Sequence, residues 1–570
     1  MTATCINREI GKAPVDPSFG RIAGPPSDPS LAAAEKLRSK WAIHWLEDDP
    51  SLTSPQLWAG RMRRDAADAL TYGCDGLLGI HWRTRILSPN VLALARAAWD
   101  QSWNPSPVKF ADLEGPVNGW YVSLPEEAVA GAKAGPVYRD VRDRAYCYHL
   151  RLPDGTYALT LQFVEHEFDR KNARLFDVFI QGKKAAEKVD IFARAGGRFK
   201  PWDAVFPNLS VRDGRLKVDF GDRIHYPSIA GLVVEGRTAE GLTYSKKINC
   251  GGGAVAGYDS DWPETSRHLP ALDFYRDWAR NQFGPDSAED AAAVLARLDG
   301  KWPNPVNWTD GPGGIAPNPK PWEDVRKAYA FVDEWAALKS RVKGAGYAER
   351  FDYWLANFEY MRETARYQCL WAEYNQALDG VKKLGPEADK AAAAREKLVP
   401  ARARMAESLK TIFGYLLATV SNTGELGTIA NWEQHLIPPS FEKPGEELAR
   451  LLGGELPAEA ELAMSYGGPA RFVVPTVRMS LEEGEPLRLK VMILSGGAPA
   501  EPRLYWRELG KGGFTAVTLE PVARGVYKVE LAAPRADVEY YLAALADGKQ
   551  IVFPATAPAL NQTVIVLRPE

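Results

Sequence analysis

No apolar run in this chain approaches the roughly 18 residues a membrane-spanning helix requires, so no membrane partner is expected. Neither charge dominates. A net charge of −3 gives no electrostatic case for nucleic acid or an anionic lipid surface. Cysteine is scarce: Cys5, Cys74, Cys147, Cys250 and Cys369 are scattered and odd in number. That spacing argues against both a disulfide framework and a zinc site. There is no P-loop, no GxGxxG after a strand, and no HExxH, GxSxG or CxxC motif. Gly251 to Gly253 lack a following Lys-Ser/Thr or helix signal, so they form no phosphate cradle. No cofactor and no metal are therefore expected. The opening MTATCINREIGKAPVDP has no apolar h-region, and no signal peptide is read in it.

What is present is a long, mixed chain. Its 570 residues call for several domains, and 45 % hydrophobic with 25 % charged residues is ordinary for a soluble protein. The 18 Trp and 22 Tyr supply faces that can stack on sugar rings, although core filling is the commoner use of any one of them. The patterning changes along the chain and predicts a multidomain α+β architecture. Its parts are a partial (β/α) barrel segment over 1–105, a β-sandwich over 106–265, an α-helical domain over 266–452 and a second sandwich over 453–570.

The second part has the clearest pattern. Tyr157, Leu159, Leu161 and Phe163 alternate with polar residues, as do Phe176, Val178 and Ile180. A period of two is the signature of half-buried strands. Pro153-Asp154-Gly155, Gln181-Gly182, Ala195-Gly196-Gly197 and Asp213-Gly214 punctuate the runs as turns, which predicts an antiparallel sandwich. The runs LPDGTYALTLQFVE, LFDVFIQGK, DIFARAG and PSIAGLVVEG resemble, in order, the malectin family of carbohydrate-binding modules. The resemblance implies an oligo- or polysaccharide partner, held by aromatic rings and an acid at one loop-lined end. Tyr138 and Phe168 fall at two of the family's ring positions. Glu167 stands where the family has a Tyr, and His225 where it has its acid. The family's opening Ile-Asn-x-Gly-Gly strand is found instead at Ile248 to Gly253, after the sandwich. This reads as a circular permutation, or else as a chance strand in the connection.

Before the sandwich, KWAIHWLEDDP and GLLGIHWRTR read as strands, and Pro55–Leu70 and Val91–Gln101 as helices. A β-α-β-α order implies parallel strands, whose carboxyl ends gather chemistry. Those ends carry His44, Trp45, Glu47, Asp48 and Asp49, then His81, Trp82, Arg83 and Arg85. Acids, aromatic rings, His and Arg at one rim suit sugar cleavage by paired carboxylates. The segment looks like the last two strand–helix units of a glycoside-hydrolase barrel. That likeness implies Glu47 as the catalytic candidate, with Asp48 beside it, and His44, Trp45, His81, Trp82 and Arg83 as substrate contacts. Two units do not close a barrel. Three explanations stay open: Met1 lies inside a longer gene, a partner chain completes the barrel, or the fragment has lost its chemistry. The full-length parent is expected outside the cytoplasm.

Helical spacing follows the sandwich: Leu272, Tyr275, Trp278, Ala279 and Phe283 share a face, and Ser287 with Asp290 reads as a cap. The stretch from Trp302 to Trp322 cannot be helix. It predicts a long loop whose Trp302, Trp308 or Trp322 lines the cleft. Helices are expected over 322–342, 348–378 and 386–418, the last kinked or restarted at Pro400. Thr419 to His435 reads as a loop that brings Asn431, Trp432 and Glu433 to a sugar subsite. The final strands predict an immunoglobulin- or fibronectin-like sandwich with a structural role. Together these readings describe the carboxyl-terminal part of a modular glycoside hydrolase. The alternative is a non-catalytic carbohydrate-binding or adhesion protein.

Overall fold

The computed structural model describes residues 4–5, 40–48, 51–71, 76–83, 85–102, 120–125, 128–129, 135–261, 269–309 and 313–568. Asp49, most of the first 39 residues and the Pro/Gly-rich connection at 103–119 lie outside the described residues. No described helix is long and apolar enough to cross a membrane. The chain divides into two compact units: residues 1–46, 58–81 and 89–271, and residues 47–57, 82–88 and 272–570.

The first unit begins with three parallel strands, β1 (Thr4–Cys5), β2 (Lys40–Trp45) and β3 (Gly76–Ile80), in the order β1-β2-β3. Helices α1 (Ala59–Thr71) and α2 (Ser88–Trp99) follow β2 and β3. The β-α-β-α expectation holds, but the described residues form no closed barrel. Asn90, in the first turn of α2, is fully buried. Its side chain donates to Leu46 O and accepts from Trp58 N, tying α2 to the end of β2 and the start of α1.

The sandwich follows in the same unit. One sheet runs β10 (Pro201–Val211), β7 (Gly155–Val164), β13 (Gly231–Thr238), β14 (Thr243–Asn249), β15 (Asp259–Ser260). The other runs β6 (Cys147–Arg151), β11 (Arg215–Ile224), β8 (Leu175–Ile180), β9 (Lys183–Val189). A short third sheet joins β12 (Ser228–Ile229), β5 (Asp140–Asp143) and β4 (Trp120–Ser123). The alternation has its physical consequence here: Leu159, Leu161, Phe163, Phe176, Val178, Val218, Phe220 and Leu232 form the core. All pairings are antiparallel except the short β14–β15 contact. Ile248 and Asn249 end a strand paired along β13, so that stretch belongs to the sheet and is no chance strand.

The helical part of the second unit opens with α4 (Leu272–Phe283); a short α3 (Ile191–Ala195) lies earlier, inside the sandwich. Four of the five predicted face residues are buried, and Leu272 is exposed. The Ser287–Asp290 cap does not form. Ser287 instead donates its hydroxyl back to Phe283 O ahead of α5 (Ala288–Leu298). No helix interrupts the described part of the loop before Trp322, as expected. It is pinned by Thr53, whose hydroxyl donates to Gly313 O at 2.7 Å. Gly313 has φ +69°, and a Cβ there would stand 2.7 Å from Thr53 N, so only glycine fits.

The predicted 322–342 helix is broken into α6 (Trp322–Val325), a 3₁₀ turn, α7 (Ala330–Ala337) and another 3₁₀ turn. Next come α8 (Ala345–Lys382), α9 (Glu387–Ala393) and α10 (Val399–Thr419). Between α9 and α10 the ladder widens to a π-turn at Ala394–Leu398, just ahead of Pro400. Proline lacks an N–H and crowds the carbonyl four residues back, so the helix restarts there.

Thr419–His435 corrects the sequence reading. Most of it is helix, α11 (Thr423–Asn431), followed by a π-turn. Asn422 and Glu425 form a capping box, so residues taken for turn formers are a helix start. Helix α12 (Lys443–Leu452) ends the helical part. The C-terminal sandwich pairs β16 (Arg471–Val473), β18 (Leu487–Leu494), β22 (Val526–Leu531) and β21 (Glu520–Ala523) in one sheet. Facing it are β17 (Ser480–Glu482), β25 (Gln562–Leu567), β23 (Val538–Ala546), β19 (Ala500–Glu508) and β20 (Thr515–Thr518), with β24 (Lys549–Phe553) on β23.

Candidate functional site

The sequence placed candidate residues in two β-rich regions and in the helical part. At the malectin-like sandwich, one end is built by the loop from β7 to β8, the end of β5 and the turn after β11. Along β7 the inward positions Leu159, Leu161 and Phe163 are followed, in the same period, by Glu165. Arg174, just before β8, precedes the buried Phe176 in the same way. Both side chains are almost fully buried, and they pair, Arg174 Nε to Glu165 Oε2 at 3.0 Å. Arg174 Nη1 also donates to Asp143 Oδ1 at 2.9 Å and to Tyr226 O. Its Nη2 donates to Glu167 Oε2 at 3.0 Å and, more weakly, to Glu165 Oε1. A guanidinium has five N–H donors, and all five are used. Glu165 in turn accepts from the backbone N–H groups of Glu167 and Phe168, which sets the loop.

On this pedestal stand three of the four predicted module residues. Glu167 is exposed, with His225 Nε2 3.8 Å from its Oε1. The Phe168 ring meets the His225 ring edge-on, with centroids 4.7 Å apart. The guanidinium of Arg174 lies 5.2 Å from the Phe168 centroid. Arg144, Asn172 and His225 all hold φ 60°, a left-handed conformation that costs about 1–2 kcal/mol in non-glycine residues. Backbone strain of this kind collects at functional sites.

Tyr138 is not among them. It is 4 % exposed, donates to Asp203 Oδ1 and accepts from Gln162 Nε2 at 2.9 Å. Burial, and then the Asp203 bond, push its phenol pKa up. Its expected part in sugar contact is therefore corrected: it packs inside the module.

Asp143, His166 and Glu167 each turn a possible ligand atom to within 4.8 Å of the others. Arg174 already donates to both carboxylates. Sequence reading missed Asp143, Glu165, His166, Arg174 and Tyr226. The signal was present for two of them: a charge at an inward strand position, on β7 and again before β8, demands a buried partner.

At the other region, Glu47 is fully buried. Its Oε1 accepts from the N–H groups of Trp82 and Arg83, and its Oε2 pairs with Arg83 Nε at 2.7 Å. With both oxygens engaged and no solvent contact, Glu47 is a clamp on the 82–83 turn, which departs from the catalytic role expected of it. The backbone of Asp48 is held by Gln56, through Asp48 N to Oε1 and Nε2 to Asp48 O. His81 and Trp82 are exposed, Arg83 is buried and Trp45 is half-buried. The His44 side chain lies outside the described residues.

The helical candidates separate. Trp432 is fully buried and donates to Tyr360 OH at 2.9 Å, so it is core, which corrects its placement in a subsite. Asn431 is half-buried and Glu433 exposed beside it. Trp308 is exposed on the long loop.

A family model described as Malectin domain matches residues 136–236, so the chain carries a malectin domain. No curated protein matches the chain. Among solved structures, Bacteroides uniformis beta-glucuronidase 2 covalently bound to cyclophellitol-6-carboxylate aziridine is 15 % identical, with a TM-score of 0.20. The match covers 23 % of this chain and 15 % of that one. The ANXUR1 extracellular domain from Arabidopsis thaliana is also 15 % identical, over 20 % of this chain and 38 % of that chain, with a TM-score of 0.19. The ANX2 ectodomain from Arabidopsis thaliana is 16 % identical over 20 % and 39 %, with a TM-score of 0.18. The chain thus spans well under two thirds of each.

Proposed function

We propose that this chain binds an oligo- or polysaccharide through the loop end of its malectin domain, as one part of a modular glycoside hydrolase. The observation that carries the reading is the grouping of Glu167, Phe168 and His225 on a buried Arg174 pedestal. A carboxylate accepts sugar hydroxyl hydrogen bonds, and a ring packs on the apolar face of a hexose. The β1–β3 segment is read as part of a barrel whose other strands come from outside this sequence or from a partner chain. Among the described residues β3 pairs only with β2, which supports that reading. Hydrolysis would then use acids supplied on those strands, and the parent protein would work outside the cytoplasm, where polysaccharide is met. The second reading, a non-catalytic carbohydrate-binding or adhesion protein, is favoured by the burial of Glu47.

Calorimetric titration of the full chain with an oligosaccharide panel tests the first claim. Phe168→Ala is expected to weaken binding about five- to tenfold, on the order of 1 kcal/mol. Unchanged affinity would move the binding site elsewhere. Turnover of chromogenic glycosides and natural polysaccharides separates the enzyme from the adhesion reading.

A further inference from the structure

The polar groups at this site have a definite sense. All five N–H donors of Arg174 are spent within the protein, so its guanidinium has none left for an acidic ligand. Among the described residues, Asp143, Glu165 and Glu167 face the Arg174 cation, Arg144 lies 3.7 Å from Asp143, and the exposed Arg198 donates to His166 O. What faces outward is acceptor capacity, since Glu167 keeps 44 % of its side chain in solvent while the Arg174 donors are all engaged. Asp169, Arg170 and Lys171 on the same loop are exposed, where salt screens them within about 8 Å.

His166 supplies the independent observation. Its side chain is only 8 % exposed, and its Nδ1 has no hydrogen-bond partner among the described residues. Burial, and then the Arg174 charge, lower its pKa, so at neutral pH the ring is uncharged and one nitrogen is an acceptor. Its Nε2 lies 3.9 Å from Asp143 Oδ1, too far for a hydrogen bond between them. A tetrahedral zinc would hold two such ligands about 3.3–3.5 Å apart. An ammonium with N···O distances of about 2.8 Å reaches acceptors about 4.6 Å apart. Ligand atoms of Asp143, His166 and Glu167 within 4.8 Å of one another admit that arrangement.

We propose that the site selects a glycan carrying a free amino group, a 2-amino-2-deoxyhexose of the glucosamine type, and rejects uronates. The ammonium would sit among Asp143, His166 and Glu167, with the sugar face against Phe168. The proposal rests on the saccharide-binding reading of the same site.

Calorimetry of the full chain near pH 6, at low and high salt, tests it with four probes: chitosan oligosaccharides, their N-acetylated counterparts, neutral gluco-oligosaccharides and oligogalacturonates. The free amine is expected to bind about tenfold more tightly than the N-acetylated sugar, as a charge-assisted bond does over a neutral one, with no binding of uronates. Salt should narrow the gap. Glu167→Gln, at an exposed loop position, should bring the ratio of free-amine to neutral-sugar affinity to within about twofold, a ratio that a general weakening of sugar binding would not change. Equal affinity for the N-acetylated or neutral sugar would overturn the amine preference and leave saccharide binding standing, as would tighter binding of the uronate. Binding of none of the four would remove both.

Discussion

Two buried arginine–glutamate pairs define the two candidate regions, and they are used in opposite ways. Beside the three parallel strands, the Arg83 side chain and two backbone N–H groups consume Glu47 completely. The pair closes a turn and presents nothing. In the malectin domain, Arg174 is shared by three carboxylates, and the outermost, Glu167, keeps 44 % of its side chain in solvent. There the buried pair is a base on which an exposed acid and ring are mounted. An ion pair alone therefore does not mark a binding site. What matters is whether some acceptor capacity faces outward once the buried partners are satisfied.

Removing the two arginine–glutamate pairs sharpens that contrast. Arg174→Met should have the largest effect, because it strands Glu165 and Asp143 as buried charges; breaking such a pair costs about 3–5 kcal/mol. Chemical denaturation should show it, and a loss under 1 kcal/mol would mean the network is not what holds this end together. Glu47→Gln keeps one acceptor for the turn but leaves Arg83 without its anion, a loss of about 2–3 kcal/mol. Sugar affinity should stay unchanged. If instead the chain hydrolyses a glycoside and this substitution abolishes turnover with stability intact, Glu47 is an active acid and the contrast fails.

The smallest effect is on pH dependence. The folded pKa of His166 lies below its ordinary value of 6.5, so the unfolded chain takes up the proton first. Stability should be fully present above about pH 6.5 and fall as the solution is acidified toward the folded pKa. Carboxylates titrate lower, and the other six histidines are common to both chains compared, so the difference between their profiles is the contribution of His166. His166→Phe should flatten the stability profile there, and a profile identical to that of the unsubstituted chain would count against a buried neutral ring.

Strand periodicity in the sandwich was readable because a residue on a two-sided sheet reports its face every second position. Leu159, Leu161 and Phe163 are all fully buried as that rule requires. The helix at Thr423–Asn431 was not read, because Asn422, Thr423 and Gly424 serve equally well as turn formers, and only the reciprocal bond from Glu425 makes a cap of them. The site was half legible. Glu167, Phe168 and His225 lie on segments the family resemblance reaches, whereas Asp143, His166 and Arg174 gain meaning only from one another, where the end of β5 meets the loop between β7 and β8. Trp432, read as a sugar ring, is claimed by Tyr360, 72 residues away.

Local chemistry along the chain was enough to establish a strand-rich module of malectin type between a β-α-β-α segment and a helical stretch, since turns, alternation and apolar spacing act over a few residues. Which acids stay available to a ligand was settled in three dimensions. A carboxylate's fate depends on the cation and amides that reach it, and those arrive from distant strands. Glu47 and Glu167 look alike in the sequence, but one is spent on Arg83 and two amides while the other, sharing Arg174, still faces solvent.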